Sequence, residues 1–235
     1  ASAAVARQGV LANNLANSGT QGFRAELATF RAVPLRGDGS TTRVFALEAT
    51  AGHLDTPGAL QRTGRALDAA AQGNAWFAVQ ALDGTEAYTR NGAMEVSTAG
   101  QLVGPAGLPI LSDGGAPIDV PPNAQVTLGV DGTVTAKVGN QPATNIGRIK
   151  LVTPTADEPI KRGPDGLFRA PTGDPLASDA NARIQTGALE GSNVNAVESM
   201  VGMIEVARQF EVQMRLLQMA ESNDRTAAQL LSVQG

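Results

Sequence analysis

The chain has 235 residues, enough for one large domain or two modest ones, and 18 basic against 22 acidic side chains give a net charge of -4. With no cysteine and a single histidine, His53, it lacks the means for disulfides, thiolate nucleophiles, Cys-ligated metals or the paired imidazoles of most zinc sites, so no metal or cofactor is expected. The charge balance argues against a nucleic-acid partner held by phosphate contacts, and no stretch approaches the roughly 20 apolar residues of a membrane span.

Alanine accounts for 39 residues and only eight are Phe, Trp or Tyr, so the hydrophobic core is expected to be thin or divided. The start, Ala1 to Leu15, is interrupted by Arg7, Gln8, Asn13 and Asn14, which is not the pattern of a cleavable secretory signal. Charge is uneven along the chain: residues 1–36 carry four arginines against Glu26, and residues 192–235 carry five acids against three arginines.

The first predicted element is a helix from about Ala3 to Ala16, with Ala4, Gln8, Leu11 and Leu15 on one face. Asn17-Ser18-Gly19-Thr20-Gln21-Gly22 ends it with residues that accept positive φ, and Phe23 follows as an apolar anchor. From Gly37 to Gly191 the pattern changes to short β-prone runs: Trp76–Gln80, Ala87–Arg90, Ala93–Val96, Gln125–Leu128 and Arg148–Val152. Asp83-Gly84, Asp131-Gly132, Asp165-Gly166 and Asn91-Gly92 suit tight hairpin turns, so the strands are expected to be antiparallel.

Asn195 can cap a final helix, with Glu198 three residues on. Met200, Met203, Ala207, Phe210, Met214 and Leu217 then recur at spacings of three and four, the 3.5-residue period of a coiled coil, and the apolar pattern resumes at Ala228 and Leu231. Between Asn195 and Leu231 the only Gly or Pro is Gly202, so one helix about 50 Å long is expected. The N-terminal helix is half as long, and part of the seam therefore needs other subunits. The expected fold is α+β: a β-rich central domain of antiparallel strands (residues 37–191), bracketed by an N-terminal helix and connecting turn (1–36) and a C-terminal helix (192–235). The two helices are expected to pair as a coiled-coil-like axial domain.

Three separated motifs give this layout a resemblance. Leu11-Ala12-Asn13-Asn14-Leu15-Ala16-Asn17 with Gly22-Phe23, then Tyr88-Thr89-Arg90-Asn91-Gly92, then Leu189-Glu190-Gly191-Ser192-Asn193-Val194 are similar to the signatures of the axial proteins of the bacterial flagellum. The short middle excludes hook-like members and leaves the proximal and distal rod members. Arg31-Ala32-Val33-Pro34, Arg65-Ala66-Leu67-Asp68, Trp76-Phe77-Ala78-Val79 and Arg208–Met214 resemble the proximal one. That family leads one to expect further helical residues before Ala1. The resemblance implies a non-enzymatic subunit of the rod in the periplasm, transmitting motor torque to the hook. It further implies export by the flagellar type III apparatus, assembly beneath a rod cap, and contacts with neighbouring proximal and distal rod proteins. Leu11, Leu15, Met200, Met203, Ala207, Phe210, Met214 and Leu217 would form the subunit interface.

Two rival readings use other residues. An enzyme would have to employ His53 with Asp55 and a distant Ser, or the neighbours Asp157 and Glu158, yet adjacent carboxylates on a strand point apart and a histidine between Gly52 and Pro57 reads as a solvated loop residue. A secreted β-rich adhesin would suit the Gly-rich hairpins but has no use for a long apolar seam at its C-terminal end.

Overall fold

The computed structural model describes residues 2–34 and 44–232, with side chains described except at residues 2, 28–34, 44–51, 217, 224 and 226–232. In chain order the elements are α1 (Ser2–Ala16), β1 (Glu26–Pro34), β2 (Val44–His53), β3 (Leu60–Arg62), β4 (Ala69–Ala71), β5 (Trp76–Gln80) and β6 (Glu86–Thr89). Next come β7 (Glu95–Val96), β8 (Leu102–Val103), a short 3-10 turn (Pro105–Gly107), β9 (Ala124–Leu128), β10 (Thr133–Val138) and β11 (Thr144–Arg148). The chain closes with β12 (Leu151–Val152), β13 (Lys161–Arg162), β14 (Phe168–Arg169), β15 (Ile184–Thr186), β16 (Ala188–Glu190) and α2 (Ala196–Ser232).

These elements fall into two units, one made of Ala1–Ala16, Glu26–Gly52 and Val194–Gly235, the other of Asn17–Ala25 and His53–Asn193. The division differs from the expected layout. Strands β1 and β2 pair with each other and group with the helices, while the connecting turn after α1 groups with the β-rich part. The expected boundary at residue 37 lies outside the described residues.

In the helical unit α1 packs on α2 and on β1. The start of α2 follows the expected chemistry: Asn195 Oδ1 accepts from the amides of Val197 (3.1 Å) and Glu198 (3.2 Å), and Glu198 places a carboxylate in the first turn, where the helix dipole favours it. With 37 residues α2 is about 55 Å long against about 22 Å for the 15 residues of α1. The side of α2 that is covered is not the predicted stripe. Ser199 and Val206 are buried and Gly202 is half-buried, whereas Met200, Ala207, Phe210 and Met214 are exposed; Met203 is half-buried, and the Leu217 side chain lies outside the described residues. The reason is the close approach at Gly202, where an added Cβ would stand 3.2 Å from Leu11 Cδ1. A glycine lets α1 settle on the 199/202/206 line, one position round the helix from the methionines.

The β unit contains a five-stranded sheet in the order β12-β5-β6-β14-β13, a three-stranded sheet β11-β10-β9, and the pairs β15-β4, β16-β3 and β7-β8. All of these pairings are antiparallel. Strand β5 explains the divided core. Side chains alternate across a strand, so Phe77 and Val79 enter one cluster with Met94, Leu102 and Ile110, while Trp76 and Ala78 enter another with Tyr88, Phe168 and Leu176. Both faces are buried, which is why Trp76-Phe77-Ala78-Val79 reads as an unbroken apolar run.

The three Asp-Gly pairs sit where hairpins need them, between β5 and β6, β9 and β10, and β13 and β14, with glycine φ of 81°, 87° and 81°. Asp83 and Asp131 each accept from the amide and hydroxyl of the threonine two residues on, bonds that favour the ionised carboxylate and hold both pKa values below the usual range. Two local expectations fail. Asn91-Gly92 makes no hairpin. The run Arg148–Val152 is divided, because Arg148 ends β11 on β10 while Leu151 and Val152 pair with β5 in the other sheet.

Candidate functional site

The feature that joins the most distant parts of the β unit is a buried charge cluster. Strand β16 delivers Glu190 into the interior, where Arg24 Nη1 stands 2.8 Å from Oε1 and Arg90 Nε donates to Oε2 at 2.8 Å, with Arg90 Nη2 on the same oxygen. All three side chains are 1% exposed. The carboxylate also accepts from the Gly58 amide at 2.9 Å. Arg90 spends its remaining donors on the carbonyls of Ala71 (2.8 Å), Gly73 (3.1 Å) and Ala75, and Arg24 Nη1 also donates to Thr56 O. Both guanidiniums lie over Trp76, at 5.9 Å and 5.8 Å from its centroid, so its π face receives the cationic side of the cluster.

Two arginines on one carboxylate leave a positive charge in the interior. Burial pulls the Arg24 guanidinium below its usual pKa; Glu190 opposes that shift and Arg90 adds to it. Among the described residues, Arg24 Nε and Nη2 have no hydrogen-bond partner. The cluster therefore depends on Glu190, whose removal would strand two buried cations.

Around it Gly22 and Phe23 meet the second and third sequence motifs. The Gly22 amide donates to Glu190 O at 2.8 Å, and the Asn193 amide donates to Phe23 O at 3.3 Å. Gly22 has φ of 68° and lies so close to the Asn91 backbone that an added Cβ would stand 2.8 Å from Asn91 Cα. Phe23 is buried beneath the guanidinium of Arg162, 4.3 Å from the ring centroid. Tyr88 donates its hydroxyl to Glu86 Oε1 (2.8 Å) and accepts from the Leu176 amide (2.7 Å), and Thr89 Oγ1 accepts from Asn91 N at 3.1 Å. Asn17 takes the Thr20 hydroxyl at 3.1 Å in the turn. In the helical unit, Asn14 acts as a stand-in strand residue for β1: its Oδ1 accepts from Glu26 N (2.8 Å) and its Nδ2 donates to Glu26 O (2.9 Å). Asn13, Leu11, Leu15, Ser192 and Val194 are half-buried.

Gly92 owes its place to a close approach rather than to a turn. A Cβ there would run into the carbonyl oxygen of Ala69 and stand 2.9 Å from Phe77 Cε2. Gly92→Ala should destabilise the β unit by about 3 kcal/mol. A urea titration followed by the fluorescence of Trp76, the only tryptophan, measures this; an unchanged midpoint would contradict the packing.

Arg24 and Gly58 belong to this cluster without lying in the quoted motifs, yet both carry a sequence signal. Arg24 directly follows Gly22-Phe23, and an isolated Gly58 in an extended stretch signals close backbone approach; an added Cβ would strike Gly191 O. The expectation for His53 is corrected. It closes β2 with its side chain 14% exposed, edge-on to Phe168 (4.8 Å) and Trp76 (6.0 Å), with Nε2 3.0 Å from Asp55 Oδ1. Burial pushes the imidazole pKa down and Asp55 works against it. The apolar rings of β5 and β14 draw the histidine inward, while Asp157 and Glu158 stand exposed on a bend.

The chain is an α+β protein with a helix at each end of a β-rich middle, and its motif residues hold distant stretches of the β unit together. Comparison with known proteins gives the family. Residues 185–230 match the model described as flagellar basal body rod FlgEFG protein C-terminal, and residues 70–136 match the flagellar hook protein FlgE/F/G D1 domain. The chain is 44% identical to the flagellar basal-body rod protein FlgF of Escherichia coli (strain K12) over 99% of its length and 95% of that protein. It is 45% identical to FlgF of Salmonella typhimurium over the same shares, and 28% identical to the rod protein FlgG of Buchnera aphidicola over 94% of this chain and 92% of that one. The chain belongs to the FlgF family of flagellar basal-body rod proteins. Among the described residues, no helix is long and apolar enough to cross a membrane.

Proposed function

We propose that this chain is a non-catalytic structural subunit of the proximal part of the flagellar rod, polymerising through its terminal helices into the shaft that carries torque to the hook. The observation that supports this most is the exposed apolar surface of α2: Met200, Ile204, Phe210, Met214, Leu216 and Met219 are each between 38% and 62% exposed. The described α1 lies on the line of Ser199, Gly202 and Val206 and leaves this stripe uncovered. Covering those side chains with helices of other subunits would contribute on the order of 1 kcal/mol each, repeated along a filament of heterologous contacts.

On this reading α1 and α2 form a coiled-coil-like axial layer, and the outer domain is the β unit of residues 17–25 and 53–193 rather than the expected 37–191. The interface residues are Leu15, Met200, Met203, Ala207, Phe210, Met214 and Leu217, while Leu11 is set against Gly202 of the same chain. The site of action is the periplasmic part of the basal body, reached through the flagellar export apparatus and built beneath the rod cap. The partners are other proximal rod proteins and the distal rod protein FlgG. The distal role itself is the second reading, disfavoured by the lower identity to the FlgG relative. The test is to supply a tagged copy to a strain lacking the protein and purify its basal bodies. Recovery in the rod with restored swimming is expected; a protein found at the cell surface and absent from basal bodies would support the adhesin instead.

A further inference from the structure

The chain passes between its two units after Ala16, after Ala25, after Gly52 and after Asn193. Within the β unit, three of these four crossings end on one side chain. Asn193 Oδ1 accepts from the Ala25 amide at 2.6 Å, and its Nδ2 donates to the carbonyls of Leu54 at 3.0 Å and Thr56 at 2.8 Å. The Leu54 amide in turn donates to Ala25 O at 2.9 Å, and the Asn193 amide donates to Phe23 O. A primary amide offers one acceptor and two donors in a single plane, and here all of these functions are used. No other uncharged side chain of similar size supplies that set.

We infer that Asn193 is a positioning residue, a pin that fixes the separations at which the chain leaves and re-enters the β unit, and that rod assembly requires those separations to be held. Its location separates this role from general stabilisation. Asn193 is half-buried and outside both hydrophobic clusters. The buried charge cluster anchors the same region from beneath, since Thr56 O accepts from Arg24 as well as from Asn193. The pin therefore has a rigid base, and its loss should free the crossings while the strands beneath stay closed. The consequence for assembly rests on the rod reading above; the pin itself does not.

The test compares Asn193→Ala and Asn193→Asp in the full chain by residue-resolved hydrogen exchange and by complementation. Asn193→Ala should speed exchange of the Ala25 and Leu54 amides at least tenfold, with Trp76–Gln80 unchanged. Asn193→Asp keeps an acceptor for the Ala25 amide but offers no donor to Leu54 and Thr56, so Leu54 should speed up and Ala25 should stay slow. Both variants should lose at least tenfold in basal-body incorporation. Wild-type exchange at Ala25 and Leu54 in the alanine variant would overturn the pin, as would faster exchange throughout Trp76–Gln80, which would make Asn193 a general stability residue. Loosened crossings with normal incorporation would overturn its role in assembly. Failure of the wild-type chain to enter basal bodies would instead strike the rod reading and leave the exchange result standing.

Discussion

Replacing Glu190 with alanine should cost the β unit about 3–5 kcal/mol, the range for removing one partner of a buried ion pair and leaving its counterpart uncompensated. Here two guanidiniums lose their counter-ion, each 1% exposed, and the Gly58 amide loses its acceptor. Glu190→Gln keeps an oxygen for Gly58 but removes the charge, so it should fall short of the alanine variant while still costing about 1.5–3 kcal/mol. Trp76, which carries both guanidiniums over its ring, reports the transition directly in urea. A loss below about 1 kcal/mol for the alanine variant would show that the arginines reach water or another anion, contrary to the burial described.

The second large effect concerns assembly without folding. Phe210 is 38% exposed in the single chain, on the methionine stripe of α2 that α1 does not cover. Phe210 belongs to neither hydrophobic cluster of the β unit, so Trp76-monitored unfolding of Phe210→Asp should be unchanged. At a contact between subunits it would place an unpaired carboxylate in an apolar seam, costing several kcal/mol at every repeat. The expected result is loss of swimming and loss of the protein from basal bodies. Normal incorporation would show that the stripe is not the interface, and loss of the Trp76 transition would make Phe210 a folding residue.

What the sequence disclosed was decided locally. Asp83-Gly84, Asp131-Gly132 and Asp165-Gly166 are legible as hairpins because their conformation and the return bonds to Thr85, Thr133 and Leu167 lie within two residues. The cap at Asn195 and the strand Trp76–Gln80 are legible for the same reason. What stayed hidden was decided by distant chain. Asn91-Gly92 has hairpin composition, yet the constraint on Gly92 is the carbonyl of Ala69. The 3.5-residue spacing of Met200, Met203, Ala207 and Phe210 is real, but the face α1 covers was chosen by the small residue Gly202 against Leu11.

The charge cluster shows both sides of this limit. Arg90, Glu190, Gly22 and Asn193 could be singled out by motif resemblance, since they lie in the three matching blocks. That they meet, and that Arg24 completes the set, follows from pairings between residues 100 or more positions apart, which charge counting cannot supply. His53 illustrates the same point: flanking Gly and Pro suggest a loop, while Trp76 and Phe168, remote in sequence, bring it inside.

Cryo-electron microscopy of basal bodies purified from cells carrying this chain would show what covers α2. Met200, Phe210 and Met214 are expected to be buried against helices of neighbouring subunits, with the Arg24, Arg90 and Glu190 cluster intact in each β unit. A rod in which that stripe faces solvent, with subunits joined through their β units alone, would contradict that expectation.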